Sequence, residues 1–165
     1  MPTIPANGLF SYTFHLTRTS SFFASWSGDS THVYTQSGSK KVTAGSVTQE
    51  ALNGGYATVN GYRLYHYSSQ CPQTHQDGCI HVGVTVQPSN WGGQVCFTLQ
   101  QYEGGSWTAT QTACGALDSN SQQTLTIYYD GPGIIGQRGR VRARFSGSAS
   151  NLGSATGWHY LKVTS

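Results

Sequence analysis

Length, composition and charge restrict this chain to a small protein built mainly of β-structure. The 165 residues suit one large or two small domains, only 9% of them are charged, and 21 are glycine. Abundant Tyr, Thr, Ser and Gly favour short strands joined by tight turns, and an aromatic content of 12% excludes a disordered chain. The net charge of +3 is concentrated near the C-terminus, because five of the nine Lys and Arg residues lie at 138–165, where no acid occurs.

The first 60 residues predict three strands and a connector. Alternating aromatic residues predict a strand at 9–17, and further strands are expected at 21–26 and 40–44. The connector, residues 46–60, begins with Ser-Val-Thr-Gln, which has the spacing of a helix capping box. A short helix is therefore one interpretation of its first half, and a strand is expected in its second half.

Residues 61–165 predict seven strands that alternate apolar and polar side chains. Turn signals recur about every ten residues, as they do in all-β sandwiches. This strand number is that of a constant-type immunoglobulin sandwich. The expected strands lie at 61–67, 81–87, 94–102, 106–114, 122–129, 139–145 and 158–164.

Two stretches of the chain share a pattern, which indicates an internal repeat. ASWSGD at 24–29 aligns with ARFSGS at 143–148. The longer stretch RVRARFSGSASNLGS…WHYLKVT, which begins at residue 140, resembles the closing hairpin of bacterial immunoglobulin-like repeats of secreted and surface proteins. Upstream, HVGVTVQPSNWGGQVCFTLQQYEGGSW at 81–107 is similar to the earlier strands of the same repeat.

The resemblance implies an all-β protein: an immunoglobulin-like antiparallel β-sandwich at 61–165, preceded at 1–45 by strands of a partial repeat. Under this correspondence Phe22, Ala24 and Trp26 are expected to be buried. A lone three-stranded sheet leaves one face uncovered. Three arrangements remain open for it: packing on the full repeat, completion by another chain through self-association, or a remnant of a longer array.

Four cysteines in a small β-rich chain indicate two disulfides and an oxidising compartment. The predicted pairs are Cys71–Cys79, which closes a short loop, and Cys96–Cys114, which joins neighbouring strands. Cys71, His75 and Cys79 also have the spacing of metal ligands, but zinc needs a fourth ligand and reduced thiolates. The sequence therefore predicts no metal site.

The chain contains neither a signal peptide nor a transmembrane run. Together with the cysteines, this predicts a mature secreted or extracellular protein that does not span a membrane. Asp29, in a Ser-Gly-Asp-Ser turn, is interpreted as capping that turn, because calcium needs six to eight oxygen ligands.

No motif predicts catalysis or a cofactor. Residues 131–136 match G-x-G-x-x-G, but an alternating strand follows where a dinucleotide site needs a helix. The six acids lie singly along the chain, and no nucleophile elbow or metalloprotease motif occurs. The protein is predicted not to be an enzyme; a small hydrolase with a carboxylate pair assembled in space is the least favoured alternative.

The alternation at 138–145 predicts a row of arginines on the outer side of a strand. Val141, Ala143 and Phe145 take the core side, so the arginines between them face outward, about 6.6 Å apart. The strand at 158–164 is expected to pair antiparallel and to add aromatic rings, on which guanidinium planes stack well. The predicted face consists of Arg138, Arg140, Arg142, Arg144, Trp158, Tyr160 and Lys162.

Two interpretations of this face stay open: a structural ladder that covers the sheet, or a surface for an acidic partner. The function expected is a non-catalytic adhesion, display or assembly module that binds a protein or glycan on a cell surface, including acidic polymers. Nucleic acid is less favoured, because it usually needs a more basic domain. The alternative is a lectin-like carbohydrate-binding module that uses Tyr62, Tyr65, Tyr67, Trp91, Tyr102 and Trp107.

Overall fold

The computed structural model describes residues 11–68, 79–128 and 131–165. The chain divides into two compact units, Met1–Ala44 and Gly45–Ser165. In the described ranges the regular structure is strand throughout, apart from one 3₁₀ turn at Pro132–Ile134. This confirms the predicted all-β class. None of the described segments is a helix of the length and apolarity needed to cross a bilayer.

The N-terminal unit contains only short strands. β1 (Ser20–Phe22) pairs antiparallel with β4 (Lys40–Val42), and β2 (Ser25–Trp26) pairs antiparallel with β3 (Thr35–Gln36). The predicted strand at 9–17 is wrong for its described part, since residues 11–17 form no strand. Their alternating rings stack instead, with Phe14 lying 4.3 Å from the Phe22 ring.

The predicted burial of the N-terminal strand is also wrong. Ala24 is exposed, Trp26 is 39% exposed, and Phe22 is only half-buried. The reason is that this unit's described strands form two separate two-stranded ladders, which provide no broad sheet face. Phe145, the position that aligns with Trp26, is 0% exposed because a second sheet covers it.

A two-residue strand, β5 (Ala44–Gly45), spans the boundary between the units in the sequence. The strands that follow it in the C-terminal unit are β6 (Val47–Asn53), β7 (Ala57–Val59), β8 (Tyr62–His66), β9 (Ile80–Gln87), β10 (Gln94–Glu103), β11 (Ser106–Ala116), β12 (Gln122–Ile127), β13 (Arg138–Gly147), β14 (Asn151–Ala155) and β15 (His159–Thr164).

These strands form two sheets. The larger has the order β11-β10-β13-β15-β8-β7, with β14 also paired to β13; the smaller has the order β12-β9-β6. Neighbouring strands in these orders are antiparallel except β15 and β8, which run parallel.

The helix considered for the connector is wrong, because β6 occupies that segment and pairs with β9 along its whole length. Thr48, Glu50 and Leu52 are half-buried, while the residues between them are exposed. Because side chains of this segment alternate between buried and exposed, a strand can pack one face against the core. The free energy of that packing outweighs the weak helix preference indicated by the capping-box spacing.

The two sheets enclose one apolar core. Alternate residues of β9 and β13 point into it, including Val82, Val86, Val141 and Phe145, each 0% exposed. Packing around the Phe145 ring is close: a Cβ added at Gly93 would lie 2.7 Å from it. The prediction that the apolar residues at 141–145 take the core side is confirmed.

Candidate ligand-binding face

The four arginines of β13 point away from the core. Arg138, Arg142 and Arg144 are exposed and Arg140 is half-buried, whereas the residues between them are buried. Because successive side chains of a strand alternate sides, the arginines form one row on the outer surface of the larger sheet.

Strand β15 continues this outer surface. It pairs antiparallel with β13, so that Lys162 lies opposite Arg138, and Tyr160 lies opposite Arg140. In antiparallel sheets directly opposite side chains share a face and contact each other. The tyrosine and the lysine therefore belong to the same surface as the arginines.

Aromatic rings hold the guanidinium groups in place. The Arg140 Cζ lies 4.2 Å from the Trp158 ring centroid and 4.5 Å from that of Trp107. The Arg142 Cζ lies 4.6 Å from the Trp158 centroid. Such cation–π contacts contribute about 0.5–1 kcal/mol each at exposed sites.

The hairpin of β10 and β11 supplies two rings that were not assigned to this face from the sequence. Tyr102 and Trp107 are opposite each other in the hairpin register. The Arg138 Cζ lies 4.0 Å from the Tyr102 centroid. In the sequence both rings lie close to the Gly-Gly turn, which predicts that they face each other in a hairpin. Only the pairing of β10 with β13 brings them to the arginines.

The rings contact one another edge to face across four strands. The Tyr102–Trp107, Trp107–Tyr160 and Tyr160–Tyr62 centroid distances are 5.1, 5.7 and 5.6 Å. We call the whole surface the arginine–aromatic face. It comprises Tyr62, Tyr102, Trp107, Arg138, Arg140, Arg142, Arg144, Trp158, Tyr160 and Lys162.

The cations of this face have no acidic partner in the described part of the chain. The Nε of Arg140 donates a hydrogen bond of 2.7 Å to Gln100 Oε1, a neutral group. Among the described residues the one ion pair is His32–Asp29, in the other unit. The positive charge of the face is therefore not neutralised by these residues.

The aromatic residues proposed for sugar binding do not share one surface. Tyr65 is 4% exposed in the core, where burial raises the pKa of its phenol to about 12. Tyr67 packs partly against the core. Trp91 is 78% exposed in the turn between β9 and β10. Only the remaining three, Tyr62, Tyr102 and Trp107, lie on the arginine–aromatic face.

The predicted Cys96–Cys114 disulfide is confirmed, and it joins directly opposite residues of β10 and β11. Cys79 is disulfide-bonded as well. Its predicted partner Cys71, and His75 between them, lie outside the described residues.

Asp29 caps its own turn, as predicted. Its Oδ1 accepts hydrogen bonds from the Thr31 N–H at 2.8 Å and the His32 N–H at 2.9 Å. The Thr31 backbone bond first, then hydrogen bonds from the His32 and Thr31 side chains, and last the His32 backbone bond lower the pKa of the Asp29 carboxyl to about 2. In the described ranges no three His, Cys, Asp or Glu side chains are grouped so that they would hold a metal ion.

The Gly-rich motif at 131–136 contains the 3₁₀ turn, and β13 follows it directly. A dinucleotide site needs a helix N-terminus at this point. In this part of the chain a strand follows instead, as the alternating arginines predicted.

Glu50 is a half-buried acid that reaches from β6 towards β13. Its Oε2 accepts hydrogen bonds from the Ala143 N–H and from Thr156 Oγ1, both at 2.7 Å. Its Oε1 is buried and has no hydrogen-bond partner. Burial raises the pKa of the Glu50 carboxyl above its ordinary 4.5, against the opposing influence of those two hydrogen bonds and of a nearby charge on His159.

The pH dependence of stability is expected to report on Glu50. A raised pKa means that the folded state binds the Glu50 proton more tightly than the unfolded state does. The stability that this protonation contributes is therefore fully present below the unfolded pKa near 4.5, and it is lost as pH rises through the folded pKa. In urea unfolding from about pH 4 to 8, wild type should lose stability relative to Glu50→Gln as pH rises. Glu103→Gln, at an exposed acid of β10, should keep the wild-type profile. A wild type that gains stability over Glu50→Gln in this window contradicts the prediction.

The fold and the face together define an all-β protein with a sandwich and a cationic, aromatic surface. A scan against protein-family models and a search of the curated proteins both find no match for the chain. The resemblance to bacterial immunoglobulin-like repeats therefore stays a prediction.

Proposed function

We propose that this chain is a non-catalytic binding module, secreted or displayed on a cell surface, that holds an acidic partner on its arginine–aromatic face. The observation that carries the proposal is the collection of five cations on one sheet face with no carboxylate partner among the described residues. Arginines that are exposed and lack a carboxylate partner among the described residues stay available to an acidic partner.

The chemistry of the face suits a repeating anion. Alternate residues of a strand are about 6.6 Å apart, so the row brings several guanidinium groups close together, and those of Arg140 and Arg142 stack on the same Trp158 ring. Each guanidinium can bind a carboxylate or phosphate with two parallel hydrogen bonds. Stacking on Trp107, Trp158 and Tyr102 restricts the arginine side chains before binding, which reduces the entropy lost in the complex. An acidic glycan or cell-wall polymer fits these requirements.

The module itself is proposed to be an immunoglobulin-type sandwich. The neighbours β10, β13 and β15 correspond to the C, F and G strands of that fold, and β6, β9 and β12 to its A, B and E strands. The Cys96–Cys114 disulfide supports an oxidising, extracellular location.

Removing two exposed arginines tests the proposal. Arg142→Ala combined with Arg144→Ala should weaken binding to alginate, a polyuronate, by roughly tenfold, because each exposed charge contributes up to about 1 kcal/mol. Wild-type affinity should also fall as salt rises. Both can be measured by calorimetric titration at several ionic strengths.

The matched control removes two charges elsewhere. Lys40 and Lys41 are exposed on β4 in the other unit, and Lys40→Ala with Lys41→Ala should leave alginate binding unchanged. Equal losses in both double variants would mean that net charge, and not this face, governs binding. If wild type binds no polyanion at low salt, the arginine row of β13 only covers the sheet and is not a binding surface.

A lectin-like module is the second candidate, because Tyr62, Trp107 and Tyr160 share one face. Their rings meet at 61–66°, so they do not form a flat platform, and the guanidinium group of Arg140 lies over Trp107. A neutral sugar stacks best on a free, flat ring. Binding of a neutral oligosaccharide that Trp107→Ala abolishes would favour this candidate over the polyanion.

A further inference from the structure

One edge of the larger sheet is long and unprotected. In the described ranges only β10 pairs with β11, so the main-chain groups on the other side of β11 are free. Edge strands are usually short, or blocked by charges or proline, because free N–H and C=O groups can pair with another chain. At the opposite edge β7 has three residues, whereas β11 has eleven, none of them charged and none of them proline. The larger sheet can therefore be extended at β11.

The turn and the disulfide identify which residues of β11 direct their main-chain groups outward. In an antiparallel pair, opposite residues alternately exchange hydrogen bonds and point their N–H and C=O groups away from the partner strand. The two-residue Gly-Gly turn is closed by Glu103 and Ser106, which makes that pair a hydrogen-bonded one. Cys96 and Cys114, whose Cα atoms are only 4.0 Å apart, form a pair of the other kind.

Counting from either end of the strand gives the same outward residues. They are Trp107, Ala109, Thr112 and Cys114, and we call them the outward set. All of them are exposed except Trp107, which is half-buried. The step along the set is two residues, but it is three between Ala109 and Thr112. The cause is a β-bulge, at which the register with β10 shifts and Thr110 is left without an opposite residue.

The three-residue step selects the partner strand. A regular strand offers outward groups at every second residue, so it could follow this edge on one side of the bulge only. A second copy of β11, turned antiparallel by a two-fold axis, has the same step at the same place. Ala109 then lies opposite Thr112 of the second copy, and Trp107 lies opposite its Cys114. The reciprocal pairs follow from symmetry, so the whole outward set is satisfied.

The side chains and charges near this edge permit such a contact. Residues 108–113 are all Thr, Ala or Gln, so the contact buries no charged side chain of β11. The arginine row of β13 lies two strands away from the edge. The rows of the two copies would thus be five strand spacings apart, about 24 Å. This separation exceeds the Debye length of about 8 Å at physiological ionic strength, so their repulsion is screened.

We propose that this protein forms a two-fold symmetric dimer in which the β11 strands of two copies pair antiparallel and join the two larger sheets into one. Each copy contributes one such edge, so the contact closes at two copies. The axis is perpendicular to the sheet, which places the arginine–aromatic faces of both copies on the same side. The dimer would thus present two arginine rows to one repeating polyanion, and this last step alone rests on the proposed function.

Two measurements on the full chain without ligand test the dimer. Sedimentation velocity should show a monomer–dimer equilibrium as protein concentration rises. Backbone hydrogen exchange locates the contact, because amides of the outward set should exchange roughly tenfold more slowly in the dimer. Thr108 and Ala113 belong to hydrogen-bonded pairs with β10, so their amides should exchange at the same rate at every concentration.

A proline variant removes one outward donor. Thr112→Pro should weaken dimerisation by at least about tenfold, since each dimer loses two main-chain hydrogen bonds. It should still fold, because an edge strand tolerates proline where the N–H faces outward. The matched control is Thr58→Pro on β7. The two-residue turn closed by Val59 and Tyr62 makes the Thr58 N–H point outward too, and this change should leave dimerisation unaltered.

Charge variants beside the axis provide a test that does not depend on proline. Thr110 is exposed, and in the proposed register it lies next to its own copy across the axis. Thr110→Lys and Thr110→Glu should each stay monomeric, because like charges are brought together. An equimolar mixture of the two variants should dimerise, because opposite charges then meet.

Three results would overturn the proposal: a wild type that stays monomeric at about 1 mM, slowed amides in another segment, or assemblies larger than a dimer. Alginate titrations then test the link to the polyanion. Dimeric wild type should bind long alginate chains at least roughly tenfold more tightly than Thr112→Pro does. Equal affinities would contradict the joint use of both faces. A dimer that binds no alginate would reject the polyanion and leave the β11 contact established.

Discussion

Replacing Phe145 with alanine is expected to lower the free energy of unfolding of the C-terminal unit by about 3–5 kcal/mol. The ring is 0% exposed and belongs to the core shared by the two sheets. Close packing against Gly93 leaves little freedom for the site to collapse around a smaller side chain. Urea unfolding followed by tryptophan fluorescence measures the effect, and the midpoint should fall without a change in slope.

Two controls make this result specific. Leu152→Ala, at a residue of β14 that is 57% exposed, should change stability by less than about 0.5 kcal/mol. Trp26→Ala, at the position that aligns with Phe145 in the repeat pattern, should also have a small effect because the ring is 39% exposed. If Trp26→Ala lowers the free energy of unfolding as much as Phe145→Ala does, the two side chains are equally buried, as the repeat pattern predicted.

Removing the Cys96–Cys114 disulfide is expected to cost about 3 kcal/mol. The two cysteines are 18 positions apart, and cross-linking a loop of this length restricts the unfolded chain by about that amount in the chain-entropy model. The double variant Cys96→Ala, Cys114→Ala avoids leaving a free thiol. Equilibrium unfolding in urea under non-reducing conditions measures the difference.

Chemical reduction of wild type provides the comparison. Dithiothreitol opens the Cys96–Cys114 bond and also the bond of Cys79, so it should destabilise the protein at least as much as the double variant does. An unchanged unfolding midpoint in the double variant would contradict the prediction, because it would mean that the unfolded chain gains little freedom when the cross-link is removed.

Sequence patterns succeeded where each residue's environment repeats every two positions. In β13 the arginines and apolar residues alternate without exception over 140–145, so the inward and outward sides follow from strand geometry alone. Cys96 and Cys114 were paired by the expectation that two consecutive strands are neighbours, which short connections usually ensure.

Sequence patterns failed where local signals lacked tertiary support. The capping-box spacing at Ser46 is a weak preference, and pairing of β6 with β9 outweighs it. Alternating rings at Tyr12 and Phe14 predicted a strand, but residues 11–17 form none. The burial expected for Trp26 depended on a covering sheet, which the described strands of that unit do not form.

The sequence by itself determined the all-β class, the two sides of β13 and the Cys96–Cys114 bond, because these depend on residue alternation and on contacts between consecutive strands. The tertiary structure alone decided that Trp107 and Tyr102 hold the guanidinium groups of Arg140 and Arg138. These contacts depend on the register between strands distant in sequence and on how the sheets pack, and the free energy that sets this arrangement is shared among many contacts across the core.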